Sequence, residues 1–293
     1  MERLFVREHQ QQPAMKDILK QVPGWRRKLA SWLNPAACDP AVSNSSPVLL
    51  KSEGLCPCCD QRTTFVAHNA WYRDHYVCAS CGSIPRERAL MFCIELFFPG
   101  WREAIIHESS PGDRGASCKL RAQSRSYIAS QYFPDVPPGT LHQGWRCENL
   151  EKLTFADSSI DLHVTQDVLE HIFDPAATFR EIARSLRPGG MHIFTTPLVN
   201  KERPTEVCAK LKPDGGIEHL LEPEYHGNPV SEKGSLVTHR WGYDICEFIF
   251  QSSGLFTEMV YLDMLEHGIR AEYIEVLVTR KPKSDAEESG SKT

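Results

Sequence analysis

Residues 155–197, FADSSIDLHVTQDVLEHIFDPAATFREIARSLRPGGMHIFTTP, constrain the fold more than any other stretch of the chain. Ile160, Leu162 and Val164 belong to an apolar, β-branched run of strand length. Asp174-Pro175 reads as a helix start, because Asp caps the first free N–H groups and Pro suits the first helical position. Phe179, Ile182, Ala183 and Leu186 recur at i, i+3, i+4 and i+7, which puts one apolar stripe against a sheet. Pro188-Gly189-Gly190 predicts a stop, and Met191 to Thr196 the next strand. A strand, a crossover helix and a second strand within forty-odd residues make a βαβ unit, so the core is expected to be a parallel sheet.

Upstream, Cys56-Pro57-Cys58-Cys59 and Cys78-Ala79-Ser80-Cys81 supply two C-x-x-C pairs with eighteen residues between them. Cys56, Cys59, Cys78 and Cys81 at this spacing can converge as four thiolates on a tetrahedral Zn²⁺. Four protein ligands leave no open coordination position, so the metal is expected to be structural. Cys58 competes as a ligand, although the spacing favours Cys56 and Cys59. Phe65 to Ala67 and a run from Trp71-Tyr72 to Tyr76-Val77 are expected to form the strands of this small ribbon. The eleven cysteines of the chain are odd in number and unevenly placed, which suits a reducing compartment better than a disulfide framework. The expected location is the cytoplasm.

Ser83 to Arg88 introduces a helix whose Leu90, Cys93, Ile94 and Phe97 share a face. Arg86 and Arg88 read as exposed first-turn residues pairing with Glu87 or Glu103, with an anionic substrate group as the alternative. A net charge of −5 argues against general nucleic-acid binding while leaving room for a local basic patch. No apolar run approaches the roughly 20 residues that span a membrane.

The stretch 155–197 also resembles the second half of a class I S-adenosylmethionine-dependent methyltransferase domain, of the methyltransferase type 11 kind. The matches are Leu153-Thr154-Phe155, Ile160-Asp161, Val168-Leu169-Glu170-His171, Leu186 to Gly190 and Thr196-Pro197. The resemblance extends over roughly 85–281. It implies a Rossmann-like, mostly parallel α/β sheet with an antiparallel last strand, preceded here by the zinc ribbon. It also implies S-adenosyl-L-methionine as cofactor.

In that family the first strand, here Ala104 to Glu108, ends in an acidic residue and a glycine loop. Glu108, Ser109, Ser110, Pro111 and Gly112 take those places, with Ser110 where the first glycine is expected. Ser130 and Gln131 stand at the ribose position, without the family's carboxylate. Asn149 and Leu150 fall in the segment that touches adenine. Gln166 and Asp167 follow the fourth strand, at the edge where open α/β sheets bind ligands. His171 reads equally as a packed residue and as a catalytic one.

The domains expected are an N-terminal extension over 1–50, helical or partly disordered, the ribbon over 51–84, and the methyltransferase domain over 85–281. A disordered tail over 282–293 follows. Within the extension, Met15 to Leu33 reads as a basic amphipathic helix broken at Pro23-Gly24, for a membrane surface, a partner or its own domain. Residues 38–52 read as a linker. Residues 198–240 form a long insertion rich in Pro, Gly, His and charge, expected to be an irregular substrate loop. Tyr225, His226 and His239 within it are candidate bases or acceptor-orienting groups. The function expected is methyl transfer to a small-molecule or saccharide-like acceptor at oxygen or nitrogen. The alternatives are an RNA methyltransferase using the ribbon for RNA contact, through residues such as Arg62, Trp71, Tyr72, Arg73 and His75, and a non-catalytic interaction protein on a cofactor fold. Oligomeric state is not written in the chain.

Overall fold

The computed structural model describes residues 47–228 and 231–283. The predicted N-terminal helix and nearly all of the predicted tail lie outside these residues. No helix among the described residues is long and apolar enough to cross a membrane.

The described chain begins with a three-stranded antiparallel sheet: β1 (Leu50–Leu55), β2 (Arg62–Ala67) and, after the one-turn helix α1 (Tyr72–His75), β3 (Tyr76–Cys78). Two expectations are corrected here. Residues 50–52 belong to a strand rather than a linker, and Trp71-Tyr72 precede or open a helical turn rather than a strand. The turn is held by Asn69 Oδ1 accepting from the Trp71 N–H at 2.7 Å and by the Trp71 indole N–H donating to Asp74 at 2.7 Å. Such local side-chain bonds compete successfully with strand pairing.

Then follow α2 (Pro85–Phe97), β4 (Ile105–Ser109), α3 (Gly115–Gln123), β5 (Ser126–Gln131), the short β6 (Leu141–His142) and β7 (Trp145–Cys147). The opening stretch supplies β8 (Ile160–Gln166), a 3₁₀ turn at Leu169–His171, α4 (Pro175–Ser185) and β9 (Leu186–Thr195). Asp174 caps α4 as expected, its Oδ1 accepting from the Ala177 N–H at 2.8 Å, a contribution of about 1 kcal/mol. Pro188-Gly189-Gly190 does not separate helix from strand. It is a bulged entry into β9, where the register against β8 jumps from Ile160↔Leu186 to Leu162↔Met191.

The insertion is not irregular, as expected, but built from small ladders: β10 (Glu206–Val207) against β15 (His239–Arg240), β11 (Ala209–Leu211) against β12 (Ile217–His219), and β13 (Tyr225–Asn228) against β14 (Ser231–Leu236). The chain closes with α5 (Ile245–Ser253), stopped by left-handed Gly254, and the antiparallel pair β16 (Phe256–Val260) and β17 (Val276–Arg280).

The main sheet runs β16-β17-β9-β8-β4-β5-β7-β6. Strands β9, β8, β4, β5 and β7 are parallel, whereas β17 lies antiparallel to β9. From β4 the chain builds first outward through β5 and β7, then in the other direction through β8 and β9. That reversal opens a crevice at the carboxyl ends of β4 and β8, where such sheets take ligands.

The three-stranded sheet shares its core with the main sheet. Phe65 and Tyr76 of the former lie in one apolar cluster with Leu90, Ile94, Ile106 and Val276. A Cβ on Gly54 of β1 would sit 1.8 Å from the Glu266 carbonyl oxygen, and one on Gly268 would sit 2.4 Å from the Phe65 ring. Only glycine permits backbone to pass so close.

Beneath the crevice the sheet buries three histidines. His107 Nδ1 meets His163 Nδ1 at 2.9 Å, and their outer nitrogens reach the hydroxyls of Ser130 and Ser185. His192 Nε2 pairs with Thr165 Oγ1 at 3.1 Å. Burial lowers all three, His107 and His192 to about 3, and lowers His239 to about 4. A folded pKa depressed below the unfolded value gives stability that is full above about 6.5 and is lost as pH falls toward the folded value. Glu170, raised to about 8 by burial and by the nearby Asp167 charge, runs the opposite way and offsets one histidine, and Glu108 and Glu275, also raised by burial, offset part of the remainder. Each histidine then loses roughly 2 kcal/mol by about pH 5. Urea unfolding midpoints measured across this range should fall steeply toward acid, and a flat or rising profile would contradict the assignment of neutral buried histidines.

Candidate active site

The loop after β4 turns sharply at Ser110, whose φ of 53° lies in the left-handed region. Glycine adopts this conformation without cost, which explains the family's preference at a position where serine stands here. The Ser110 N–H donates to the Ser130 carbonyl at 2.8 Å and its hydroxyl to Gln131 Oε1 at 3.1 Å. Gly112 follows, exposed, with its N–H donating to Ser117 Oγ at 3.0 Å.

Glu108 is fully buried and accepts from Ser117 Oγ at 2.6 Å, Tyr127 Oη at 2.7 Å and Gln166 Nε2 at 2.7 Å. Burial raises its pKa, and these three donors hold it back. Glu108, Ser109, Ser110, Pro111, Gly112, Gln131 and Gln166 therefore come together at one edge. Ser130 stands apart, since its hydroxyl turns into the buried layer beside His107 Nε2 at 2.8 Å. Asn149 Oδ1 accepts from the Glu151 N–H at 2.9 Å, and the Leu150 side chain packs with Leu153 and Ile182. The Leu150 side chain is thereby occupied in that packing.

Asp167, also left-handed with φ of 52°, ends β8 with its carboxylate already engaged. Arg73 of α1 lies 2.7 Å away and Arg86 of α2 2.9 Å. Burial pushes the Asp167 pKa up, but the two guanidinium groups outweigh it and hold the carboxyl below its usual range. Neither Arg86 nor Arg88 pairs as the sequence suggested. Arg86 bridges Asp74 and Asp167, and Arg88 is entirely buried.

Beyond this edge a pocket of about 420 Å³ opens between the insertion and the segments following β8 and β9. Glu170, Pro197, Asn200, Arg203, His226 and His239 are among its lining residues. His226 and His239 were expected here, whereas Tyr225 does not line the pocket. Strand alternation in β13 turns Tyr225 away from His226 and leaves it 55% exposed. His239 stacks on Trp241 at 5.1 Å and lies 3.0 Å from Thr238 Oγ1 through Nδ1. Thr238 Oγ1 directs its own proton to the Ile172 carbonyl at 2.6 Å, so His239 Nδ1–H donates to it and Nε2 is the proton-accepting nitrogen. Sequence reasoning missed Glu170 and Arg203. Glu170 was visible in the Leu169-Glu170-His171 match but served there only to identify the stretch.

The sulfur atoms of Cys56, Cys59, Cys78 and Cys81 lie within 4.8 Å of one another, and the Cys56–Cys81 separation is 3.8 Å. Zn–S bonds of about 2.3 Å arranged tetrahedrally need S···S edges of roughly 3.8 Å, so these donors fit zinc. Two matching knuckles present them: Asp60 N–H donates to the Cys56 carbonyl and Gly82 N–H to the Cys78 carbonyl, both at 2.9 Å, with Asp60 and Gly82 left-handed. Cys58 is buried outside the cluster, and burial pushes its thiol up.

A family profile described as a methyltransferase domain matches residues 120–194. A Mycobacterium tuberculosis protein described as a probable S-adenosylmethionine-dependent methyltransferase is 26% identical over 164 residues, 54% of this chain and 52% of that protein. A ubiquinone biosynthesis O-methyltransferase of Parvibaculum lavamentivorans is 36% identical over 52 residues, 18% of this chain and 21% of that one. An S-adenosylmethionine dependent methyltransferase structure from Mesorhizobium loti aligns with a TM-score of 0.41 at 16% identity, covering 66% of this chain and 97% of that one. The chain spans about half the length of the first of these relatives. Residues 120–194 thus match a methyltransferase domain, and the chain is similar to S-adenosylmethionine-dependent methyltransferases.

Proposed function

We propose that this protein transfers a methyl group from S-adenosylmethionine to a small, polyhydroxylated or saccharide-like acceptor, at oxygen or nitrogen. The observation that carries this reading is the pocket of about 420 Å³ next to the carboxyl edge of β8 and β9. Its lining mixes carboxylates, guanidinium groups, an amide and two imidazoles with the apolar surface of Pro197, Val199 and Val237, a set that offers hydrogen-bond partners to many hydroxyls and apolar contact to a sugar-like ring. One relative is named for O-methylation, which is compatible with an oxygen acceptor.

When bound, S-adenosylmethionine supplies an electrophilic methyl carbon on a sulfonium. The chain's own residues then have to align and dehydrate the two partners. Glu108 through Gly112 would hold the methionine portion, small side chains and the left-handed Ser110 letting the backbone come close. Gln131 would reach the ribose hydroxyls, and Asn149 with the Leu150 backbone the adenine. His239 Nε2, neutral because of its burial, would take the proton released by an acceptor hydroxyl.

The four-cysteine cluster is, on this reading, a structural zinc ribbon. Of its residues considered for RNA contact, Arg73 is buried against Asp167 and donates to the Tyr273 carbonyl at 3.0 Å, whereas Arg62, Trp71 and His75 are exposed.

Calorimetry with S-adenosylmethionine tests the central claim. Saturable binding is expected, weakened about tenfold or more in Glu108→Ala, which leaves the donors of Ser117, Tyr127 and Gln166 without their acceptor. No heat at high-micromolar cofactor would sink the enzyme reading.

A further inference from the structure

The pocket contains an arrangement that methyl transfer alone does not use. We infer that Glu170, His171 and His226 form a second metal site, an open one that takes a divalent transition-metal ion by two imidazole nitrogens and one carboxylate oxygen.

Three observations support it. First, the three ligand atoms lie within 4.8 Å of one another. Glu170 Oε1 is 3.8 Å from His171 Nε2 and 3.9 Å from His226 Nδ1. These separations are too long for hydrogen bonds. Metal–ligand bonds of about 2.1 Å need the donors roughly half an ångström closer, a shift within reach of side-chain rotation.

Second, Glu170 Oε1 is buried without a hydrogen-bond partner, although the other carboxylate oxygen accepts from Thr196 Oγ1 at 3.0 Å. A carboxylate oxygen left unsatisfied in a buried place is costly, and a cation would satisfy it.

Third, both imidazoles are oriented from behind. His171 Nδ1 lies 2.8 Å from the Leu236 carbonyl, and His226 Nε2 lies 3.4 Å from Glu224 Oε1. Each acceptor draws the ring proton to the outer nitrogen and leaves the inner lone pair facing Glu170. Metal-binding histidines are typically held in this way.

Three ligand atoms facing one point at these separations are satisfied together by a single cation between them. Two imidazoles and a carboxylate suit Zn²⁺, Co²⁺ or Fe²⁺ and leave positions open for an oxygen ligand. Glu170 and His226 also line the pocket, where an acceptor hydroxyl would become a ligand and a stronger acid. That last role rests on the methyl-transfer reading, whereas the metal site itself does not.

The test uses the full-length protein with zinc already in its cysteine cluster, titrated with Co²⁺ alone. One equivalent should bind, giving imidazole–carboxylate d–d absorption without a thiolate-to-cobalt charge-transfer band. Affinity should fall at least about tenfold in both Glu170→Gln and His226→Ala, the first being isosteric and the second in a surface hairpin. No saturable Co²⁺ band, a band with thiolate character, or equal binding in both variants would overturn the site. S-adenosylmethionine calorimetry on the same samples keeps the two readings apart. Cofactor heat without Co²⁺ uptake overturns the metal site alone. Co²⁺ uptake without cofactor heat overturns methyl transfer and upholds the metal site.

Discussion

If the four cysteines hold zinc as proposed, replacing Cys59 with serine, or dialysing the protein against a strong chelator, is expected to abolish more than the ribbon. Apparent zinc binding in small Cys-rich folds is worth about 10–16 kcal/mol, as large as the whole stability of an ordinary domain. Here the loss would not stay local. Phe65 and Tyr76 pack in one cluster with Leu90, Ile94 and Ile106, so an unfolded ribbon exposes the face of α2 and one side of the main sheet. Arg73, carried on α1 between two ribbon strands, would also leave Asp167 with only Arg86 at the carboxyl edge. Metal loss should therefore lower the melting temperature and weaken S-adenosylmethionine binding together. The control is Cys58→Ser, which lies outside the sulfur cluster and should retain one zinc per chain. Zinc content by elemental analysis, with melting curves on the same samples, decides the matter. A metal-free protein that melts as the metallated one does would refute a structural role.

The reach of sequence reasoning followed the range of the interactions involved. The β8–α4–β9 unit was legible because its signals are local: an Asp cap, a stripe at helical spacing and two β-branched runs. The cysteine pairs were legible because their spacing is itself the geometry. Ser110 looked like a defect in the cofactor loop, yet it occupies the left-handed conformation that makes glycine common there. The fate of Arg86 and Arg88 was not legible, because their partners are distant in the chain. Arg88 reaches Gly268, 180 residues on, and Arg86 reaches Asp167. The ladders of the insertion escaped because several span only two or three residues, too short to show a period. Glu170 escaped for a different reason. Nothing in its neighbourhood announces that His226, brought across by a hairpin more than fifty residues later, faces it.

Arg88→Met should be among the most destabilising single changes in the protein, although an arginine in a first helical turn looks dispensable. The side chain is wholly buried and its guanidinium donates to three carbonyls. Gly268 O receives Nε at 3.0 Å and Nη2 at 2.6 Å, Tyr76 O receives Nη2 at 2.7 Å, and Ser83 O receives Nη1. The Arg88 Cζ lies over the Phe65 ring at 4.8 Å and the Tyr76 ring at 5.5 Å. One residue thereby joins β3, the start of α2 and the Leu265–His267 turn. Methionine fills the space but donates nothing, so buried carbonyls that depend on these bonds lose their donors. The expected cost is about 3–5 kcal/mol after allowing for the desolvation that the guanidinium no longer suffers. For a chain of this size that corresponds to a fall in melting temperature of roughly 10 °C. Charge adds a second consequence. Four thiolates around the proposed Zn²⁺ would carry a net charge of about −2, and Arg88 is a buried cation whose interaction with Cys56, Cys58 and Cys78 opposes it. Zinc should therefore be lost more readily from Arg88→Met under chelator challenge. Arg88→Lys separates the two effects, because an ammonium keeps the charge but cannot fork to three carbonyls. It should recover zinc retention more fully than thermal stability. Equal recovery of both, or a methionine variant as stable as wild type, would show that the guanidinium's bonds do not hold the ribbon to the sheet.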